Sequence, residues 1–257
     1  MRITLIGAGR VATHLARVLQ LQHQIVQIFS RDLQRAQVLA NQVNAQAIND
    51  IRQLNSQTDL VMIAVSDQAI SSVIDSITAY LPDNLIVHTS GSTALSILSQ
   101  THVRSGVFYP LQTFSLERAV NWSDTPLFVE AVQQQDLTLL TDLANSLSQR
   151  VYQYSSKQRL TLHLAAVFAC NFSNYCYDMA KQVVDAEQVD FSLLYPLILE
   201  TANKATANDP KQMQTGPAMR GDQNILSMHG QLLTESNRSD LRDIYQLMSE
   251  SILKRHH

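Results

Sequence analysis

The chain has 257 residues, 45% of them hydrophobic and 16% charged, which is enough apolar material for one large or two modest domains. Its formal net charge of −3 supplies no basic surface for a phosphate backbone, so no nucleic-acid partner is expected. The longest apolar runs, residues 60–65 and 162–170, are shorter than the roughly 20 residues that cross a bilayer, so no membrane partner is expected. No signal-peptide pattern follows Met1, and a globular, cytoplasmic protein is predicted.

Short apolar runs alternate with helical patterns along the first half of the chain. The runs at residues 2–6, 24–30, 60–65 and 85–88 predict strands that are buried on both faces. Apolar residues at helical spacing follow the first and third runs, at positions 11–19 and 70–77. Strand, helix and strand in succession indicate parallel pairing in a doubly wound sheet.

The second half of the chain changes to helical spacing. Before that change, three further strands are predicted at residues 106–109, 127–132 and 151–154, with a helix at 136–147. Beyond Ser155 the pattern predicts helices at 157–184, 191–208, 225–233 and 240–253. The predicted fold is therefore α/β: a doubly wound, mostly parallel Rossmann sheet in residues 1–155, followed by an all-α C-terminal domain in residues 156–257.

A glycine-rich turn joins the first strand to the first helix. Residues 7–12, Gly-Ala-Gly-Arg-Val-Ala, give the pattern G-x-G-x-x-A directly after a predicted strand and at the start of a predicted helix, which is where dinucleotide-binding proteins have it. Gly7 permits the tight turn, Gly9 lets the backbone approach a pyrophosphate, and the helix N-terminus supplies free N–H groups. Gly7, Gly9, Arg10 and Val11 are predicted to bind a dinucleotide; the alternative is a purely structural glycine turn.

The end of the second strand indicates which dinucleotide is bound. An NAD site places a carboxylate there, whereas this strand ends in Ser30 and Arg31. A guanidinium and a hydroxyl can bind a 2′-phosphate, so NADP(H) is the predicted cofactor. In the alternative, Arg31 is an exposed cation before a helix that Asp32 caps.

The third strand also ends in residues that can border a cofactor. Ala64, Val65 and Ser66 are predicted to lie alongside the dinucleotide, because the carboxyl ends of parallel strands share one edge of the sheet. A helix cap at Ser66 or Asp67 explains the same residues equally well.

Small polar residues follow the fourth strand. Thr89 is predicted to contact the cofactor, Ser90 to take part in catalysis and Gly91 to contact the substrate, because their size leaves room for a nicotinamide ring. The alternative is that Ser92 caps a helix and His88 is a core residue with its hydrogen bonds satisfied.

The two cysteines, Cys170 and Cys176, lie six residues apart, which turns them to different faces of a helix. They are expected to be separate buried thiols rather than a redox pair or metal ligands, and no metal site is predicted.

Several motifs together resemble a known family. They are residues 7–12, residues 88–92, YPLQTF at 109–114, HLAA at 163–166 leading to Asn171 and Phe172, and TGPAMRGD at 215–222. In this order they resemble a bacterial family of Rossmann-like proteins with a C-terminal helical domain of unknown function, labelled as NADP-dependent or deazaflavin-coenzyme-dependent oxidoreductases. The resemblance covers essentially the whole chain and extends in architecture to pyrroline-carboxylate reductases, ketopantoate reductases and 6-phosphogluconate dehydrogenase. It implies a helical domain that builds the substrate cleft and the contact of a homodimer.

The first long helix of the C-terminal half carries a polar stripe. Asn171, Asn174 and Asp178 lie within about 80° of His163 on a helix that is otherwise largely apolar. The stripe is either the floor of a cleft or a set of buried hydrogen bonds. Because the related dehydrogenases place a polar pair on the equivalent helix, His163 is the predicted general acid/base, with Asn171 orienting the substrate.

Further substrate contacts are predicted at Tyr109, Thr215 and Arg220. The loop at 215–222 contains two glycines and a proline, which indicates a defined shape, and Arg220 could bind a carboxylate. The alternative partner for Arg220 is Asp222, which could instead cap the next helix.

The predicted function is NADP(H)-dependent oxidation or reduction of a small, anionic carbonyl or imine compound. One alternative is a dinucleotide-binding sensor without turnover, and another is a scaffold whose dimer surface is the function.

Overall fold

The computed structural model describes residues 1–257 as two compact units, Met1–Asn171 and Phe172–His257. The strands are β1 (Arg2–Ile6), β2 (Gln24–Phe29), β3 (Gln46–Ile48), β4 (Leu60–Ile63), β5 (Leu85–His88), β6 (Ser105–Pro110), β7 (Leu127–Ala131) and β8 (Val151–Gln153). The helices of the first unit are α1 (Arg10–Leu19), α2 (Leu33–Gln42), α3 (Ile70–Ile77), α4 (Ser96–Ser99), α5 (Gln134–Asn145) and α6 (Ser156–Ala166). The second unit contains α7 (Ser173–Ala186), α8 (Tyr195–Ala207), α9 (Pro217–Arg220), α10 (Gln223–Glu235) and α11 (Ser239–His256).

All eight strands form one sheet in the order β3-β2-β1-β4-β5-β6-β7-β8. Every neighbouring pair is parallel except β6 and β7. The predicted fold class, a doubly wound and mostly parallel sheet followed by helices, is therefore confirmed. The strand order reverses between β1 and β4, and in such sheets the carboxyl ends of these strands open a crevice for ligands.

The sheet is buried because its strands are apolar on both faces. Every residue of β4, β5 and β6 is buried. The amphipathic helix α1 turns Ala12, Leu15, Ala16 and Leu19 onto the core, and none of these four side chains is exposed. The core therefore holds the carboxyl ends of the strands in fixed positions.

Most predicted bounds agree with the observed ones to within two residues. The edge strand β3 is absent from the prediction, because three residues are too few to show a period. β8 ends just before Ser155, whose side chain forms a capping box with Gln158 at the start of α6. The predicted helix at 157–184 is present as α6 and α7, separated by a π-helical segment, Val167–Phe172.

The second unit buries very few apolar side chains. Ala218 and Leu241 are its only buried hydrophobic residues, and α7, α8 and α10 contain no buried residue. The expectation of buried thiols is wrong, because Cys170 is exposed and Cys176 is half-buried. The apolar helix faces that should cover these thiols are themselves uncovered in the single chain.

None of the helices combines the length and the apolar character that crossing a membrane requires.

Candidate active site

One cavity of about 930 Å³ lies in the first unit, beyond the carboxyl ends of β1, β4 and β5. Its volume is in the range of about 300–1,000 Å³ that is typical of ligand and cofactor sites. Ten of the lining residues are those predicted to contact the cofactor: Gly7, Gly9, Arg10, Val11, Ser30, Arg31, Ala64, Val65, Ser66 and Thr89. Ser90, Gly91, Tyr109 and His163 line the same cavity.

The glycine turn has the geometry of a pyrophosphate cradle. Gly7 has a φ of +123°, and a Cβ there would lie 2.3 Å from the carbonyl oxygen of Ala64. Only glycine fits this close approach between the turn and the end of β4. A Cβ at Gly9 would meet nothing within 4 Å, so the backbone there is open to an approaching phosphate group.

Three side chains beyond β2 suit a 2′-phosphate. Ser30, Arg31 and Arg35 all line the cavity. Asp32 caps α2 by accepting from the backbone N–H groups of Gln34 and Arg35, at 3.0 and 3.3 Å. The helix cap at Asp32, which was considered as an alternative to cofactor binding, is therefore present. Arg31 nevertheless lines the cavity. Arg35 is missed by the sequence reasoning, although its place in the first turn of α2, shortly after Arg31, is a signal that could have found it.

This arrangement fits NADP(H) along its whole length. The open backbone at Gly9 would accommodate the pyrophosphate, and the guanidinium of Arg31 would supply positive charge for the 2′-phosphate. The guanidinium of Arg35 would add to this charge, although it also pairs with Asp32 at 3.3 Å. Thr89 and Tyr109 line the same cavity, where they would border the reacting ring.

The loop after β5 is held in shape by side-chain hydrogen bonds. The Ser90 hydroxyl accepts from the backbone N–H groups of Ser92 and Thr93, at 3.1 and 2.9 Å. Ser92 donates to the carboxylate of Asp67 and does not cap a helix, since α4 begins only at Ser96. The loop therefore presents Thr89, Ser90 and Gly91 to the cavity in a defined conformation.

His88 holds this loop through a hydrogen bond to its backbone. Its Nδ1 accepts from the backbone N–H of Ser90 at 3.2 Å, and its side chain is fully buried. Burial lowers the pKa of His88 to about 3, with a further lowering by the Arg159 guanidinium. His88 is therefore a neutral core residue, but not the fully hydrogen-bonded one of the alternative interpretation, because its buried Nε2 has no hydrogen-bond partner.

Arg159 anchors the same loop and was not singled out by the sequence. This fully buried guanidinium donates to the carbonyl oxygens of Ser90, at 3.2 Å, and Thr93. It also pairs with the carboxylate of Glu130 on β7 at 2.5 Å. No local pattern signals these three contacts, because Ser90, Thr93 and Glu130 are 29 to 69 residues away from Arg159 along the chain.

Tyr109 and His163 meet in the wall of the cavity, beside Gly91. The phenol oxygen of Tyr109 lies 3.2 Å from Nδ1 of His163, and either group can donate this hydrogen bond. A Cβ on Gly91 would lie within 2.7 Å of both atoms, so the absence of a side chain at this position makes room for the pair.

Comparison with known proteins identifies the family. The family model described as NADP oxidoreductase, coenzyme F420-dependent, matches residues 2–91, and a domain of unknown function, DUF2520, matches residues 125–252. A solved structure from Bacteroides fragilis, described as a candidate NADP oxidoreductase, is 38% identical, has a TM-score of 0.92, and the match covers 98% of each chain. This chain belongs to that NADP oxidoreductase family. The predictions of an oxidoreductase and of NADP(H) as its cofactor are confirmed.

More distant structures share the fold of this NADP oxidoreductase. A protein from Thermotoga maritima is 21% identical with a TM-score of 0.71, covering 99% of this chain and 98% of that one. An imine reductase from Myxococcus stipitatus, solved with NADP⁺, is 15% identical with a TM-score of 0.75. That match covers 99% of this chain and 93% of the imine reductase. No curated protein matches the chain.

Three predicted site residues of this NADP oxidoreductase lie elsewhere. Asn171 is exposed in the π-helical segment and is not among the residues that line the cavity. Thr215 and Arg220 belong to the second unit. In that unit Asp222 caps α10 by accepting from the N–H of Ile225, which is the alternative role considered for it. The roles of Asn171, Thr215 and Arg220 stay predictions.

Proposed function

We propose that this NADP oxidoreductase reduces a small carbonyl or imine compound that carries a negative charge. The observation that supports this most is the position of the Tyr109–His163 pair, which lines the same cavity as the glycine turn and Arg31. A proton-carrying pair is what reduction of C=O or C=N needs beside a hydride donor.

The chain's own residues have separate tasks in this proposal. NADPH, when bound, supplies the hydride. The Tyr109–His163 pair supplies the proton, and the two side chains share a hydrogen bond between the phenol oxygen and Nδ1. Ser90 and Gly91 contact the substrate. Arg159 holds their loop in place by donating a hydrogen bond to the carbonyl oxygen of Ser90. Asn171 orients the reacting oxygen or nitrogen, and Thr215 and Arg220 bind the rest of the substrate, including its carboxylate.

We further propose that the protein is a homodimer that forms through its helical domain, residues 156–257. Helices α7, α8 and α10 bury no residue within the chain. Leu193, Leu197 and Leu199 are each more than 60% exposed, and Phe168 is 62% exposed. Apolar side chains in such number mark a protein interface.

A cytoplasmic location also stays a prediction, and cell fractionation tests it.

The test of the proposed function is NADPH oxidation, followed at 340 nm, with matched sets of 2-oxo acids, cyclic imino acids and their uncharged counterparts. We expect turnover with at least one acidic compound and a higher KM for its uncharged counterpart. Tight NADPH binding without turnover on any member of the panel would favour the sensor instead. Turnover that prefers the uncharged compounds would contradict the anionic substrate.

A further inference from the structure

Tyr109 is the more rigid partner of the Tyr109–His163 pair. It lies on β6 opposite Phe128 of the neighbouring strand, and the two rings pack with their centroids 6.1 Å apart. Only 8% of the residue is exposed, although it lines the cavity. A side chain fixed by the sheet and by packing keeps its hydroxyl in one place during a reaction.

His163 is placed to act behind this hydroxyl. It is half-buried on α6, and its Nδ1 is committed to the phenol oxygen at 3.2 Å. When Nδ1 donates, the phenol oxygen accepts, and the phenol proton becomes free to donate into the cavity. Because His163 retains access to solvent, it can be reprotonated after each transfer.

The phenol keeps its proton under ordinary conditions. Burial raises the pKa of Tyr109 to about 12, the negative charge of Asp67 acts in the same direction, and the Arg159 guanidinium opposes both. A neutral phenol beside the reacting ring is therefore a proton donor in its resting state.

We propose that the Tyr109 hydroxyl is the group that protonates the substrate, and that His163 acts through Tyr109 by resupplying the proton. This rests on the proposed function. As hydride adds to the carbon of C=N or C=O, the π-electron pair moves to nitrogen or oxygen. That atom bonds to the phenol proton, and the O–H electron pair stays on the Tyr109 oxygen. The proton on Nδ1 of His163 then passes to this oxygen while Nε2 takes up a proton from solvent, so the imidazole ring stays neutral.

The test compares Tyr109→Phe, His163→Gln and the double variant under saturating NADPH and substrate, with Tyr154→Phe as the matched control. Tyr154 also packs against Phe128, at 4.9 Å, but does not line the cavity. We expect Tyr109→Phe to lower kcat by about 10²–10⁴ with little change in NADPH affinity. His163→Gln keeps a hydrogen-bond donor beside the phenol and should lower kcat about tenfold. The double variant should be no slower than Tyr109→Phe, because the two groups act in series.

A large loss in His163→Gln with a small loss in Tyr109→Phe would overturn the proposal, since it makes His163 the direct donor. If the wild type oxidises no NADPH with any carbonyl or imine compound, the proposed function fails, and the pair is then tested by NMR of the His163 ring nitrogens. The proposal expects a protonated Nδ1 in the wild type and an altered Nδ1 resonance in Tyr109→Phe. An unprotonated Nδ1, or a spectrum that Tyr109→Phe leaves unchanged, overturns it.

Discussion

The two units of the chain differ in how they bury apolar side chains. In the first unit, β4, β5 and β6 are buried throughout, and two extended apolar clusters cover the faces of the sheet. In the second unit only Ala218 and Leu241 are buried among the apolar residues. The difference indicates that the first unit is stabilised by its own core, which fixes the cofactor cavity. The second unit instead leaves most of its apolar side chains accessible, as the proposed dimer requires.

If buried contacts hold the cavity of the first unit in shape, removing the contacts of Arg159 should lower the free energy of unfolding by a large amount. Arg159→Met leaves the carbonyl oxygens of Ser90 and Thr93 without this donor, and it removes the guanidinium partner of Glu130, whose carboxylate keeps its hydrogen bonds from Ser156. Breaking a buried ion pair costs about 3–5 kcal/mol, and we expect a loss of this size in the free energy of unfolding, measured by urea denaturation. Arg52→Met is the control, because its ion pair with Asp50 is exposed, and it should change stability little. Equal losses in both variants would contradict the account.

A second comparison adds one methyl group to each unit. Gly7→Ala places a Cβ 2.3 Å from the carbonyl oxygen of Ala64 at a positive φ, so we expect a loss of roughly 2–4 kcal/mol in unfolding free energy. Gly230→Ala lies within α10 with nothing within 4 Å of the new Cβ. It should leave stability unchanged or raise it by up to about 1 kcal/mol. Thermal and urea unfolding of both variants measure the contrast. A loss of stability in Gly230→Ala would contradict the expectation that α10 has free space at this position.

The apolar surface of the second unit should govern self-association. Leu193 and Leu197 are 70% and 62% exposed, and Leu193→Asp with Leu197→Asp should weaken a dimer at least about a hundred-fold, or about 2.7 kcal/mol. Leu21, in the first unit, is 76% exposed, and Leu21→Asp is the matched control that should leave association unchanged. Sedimentation velocity across a concentration series measures the effect. A monomeric wild type would contradict the proposed dimer.

Acid should destabilise the first unit through His88. Its pKa is about 3 in the folded protein against 6.5 ordinarily, so between these values the unfolded chain binds a proton that the folded chain does not. The contribution of His88 to stability is therefore lost as the pH falls below 6.5, by roughly 2–3 kcal/mol down to pH 4.5. Urea unfolding of the wild type and His88→Gln at several pH values tests this. The variant should show a flatter dependence on pH, and identical slopes would show that His88 does not titrate in this way.

Sequence reasoning reached much of the first unit because its signals are local. The strand pattern and the turn at Gly7 each follow from a few adjacent residues, and the residues at the ends of β1, β2, β4 and β5 share one cavity because parallel strands end at one edge. The contacts of Arg159 and the meeting of Tyr109 with His163 join residues far apart in the chain, and nothing in their local sequence indicates them. Cys170 was misjudged for a related reason: an apolar helix indicates burial, but not whether the same chain supplies the cover.

The most direct test of the central claim, that the first unit forms an NADP(H) site whose selectivity lies beyond β2, is a set of four titrations. NADPH and NADH are titrated into the wild type and into Arg31→Ala, with Arg17→Ala as a control outside the cavity. A hydrogen bond to a charged group contributes roughly 1.5–3 kcal/mol, so Arg31→Ala should weaken NADPH binding by about ten- to a hundred-fold and leave NADH nearly unchanged. The NADPH loss should shrink as salt screens the contact. Equal affinity for both dinucleotides in the wild type, or the same ratio in the variant, would contradict the account.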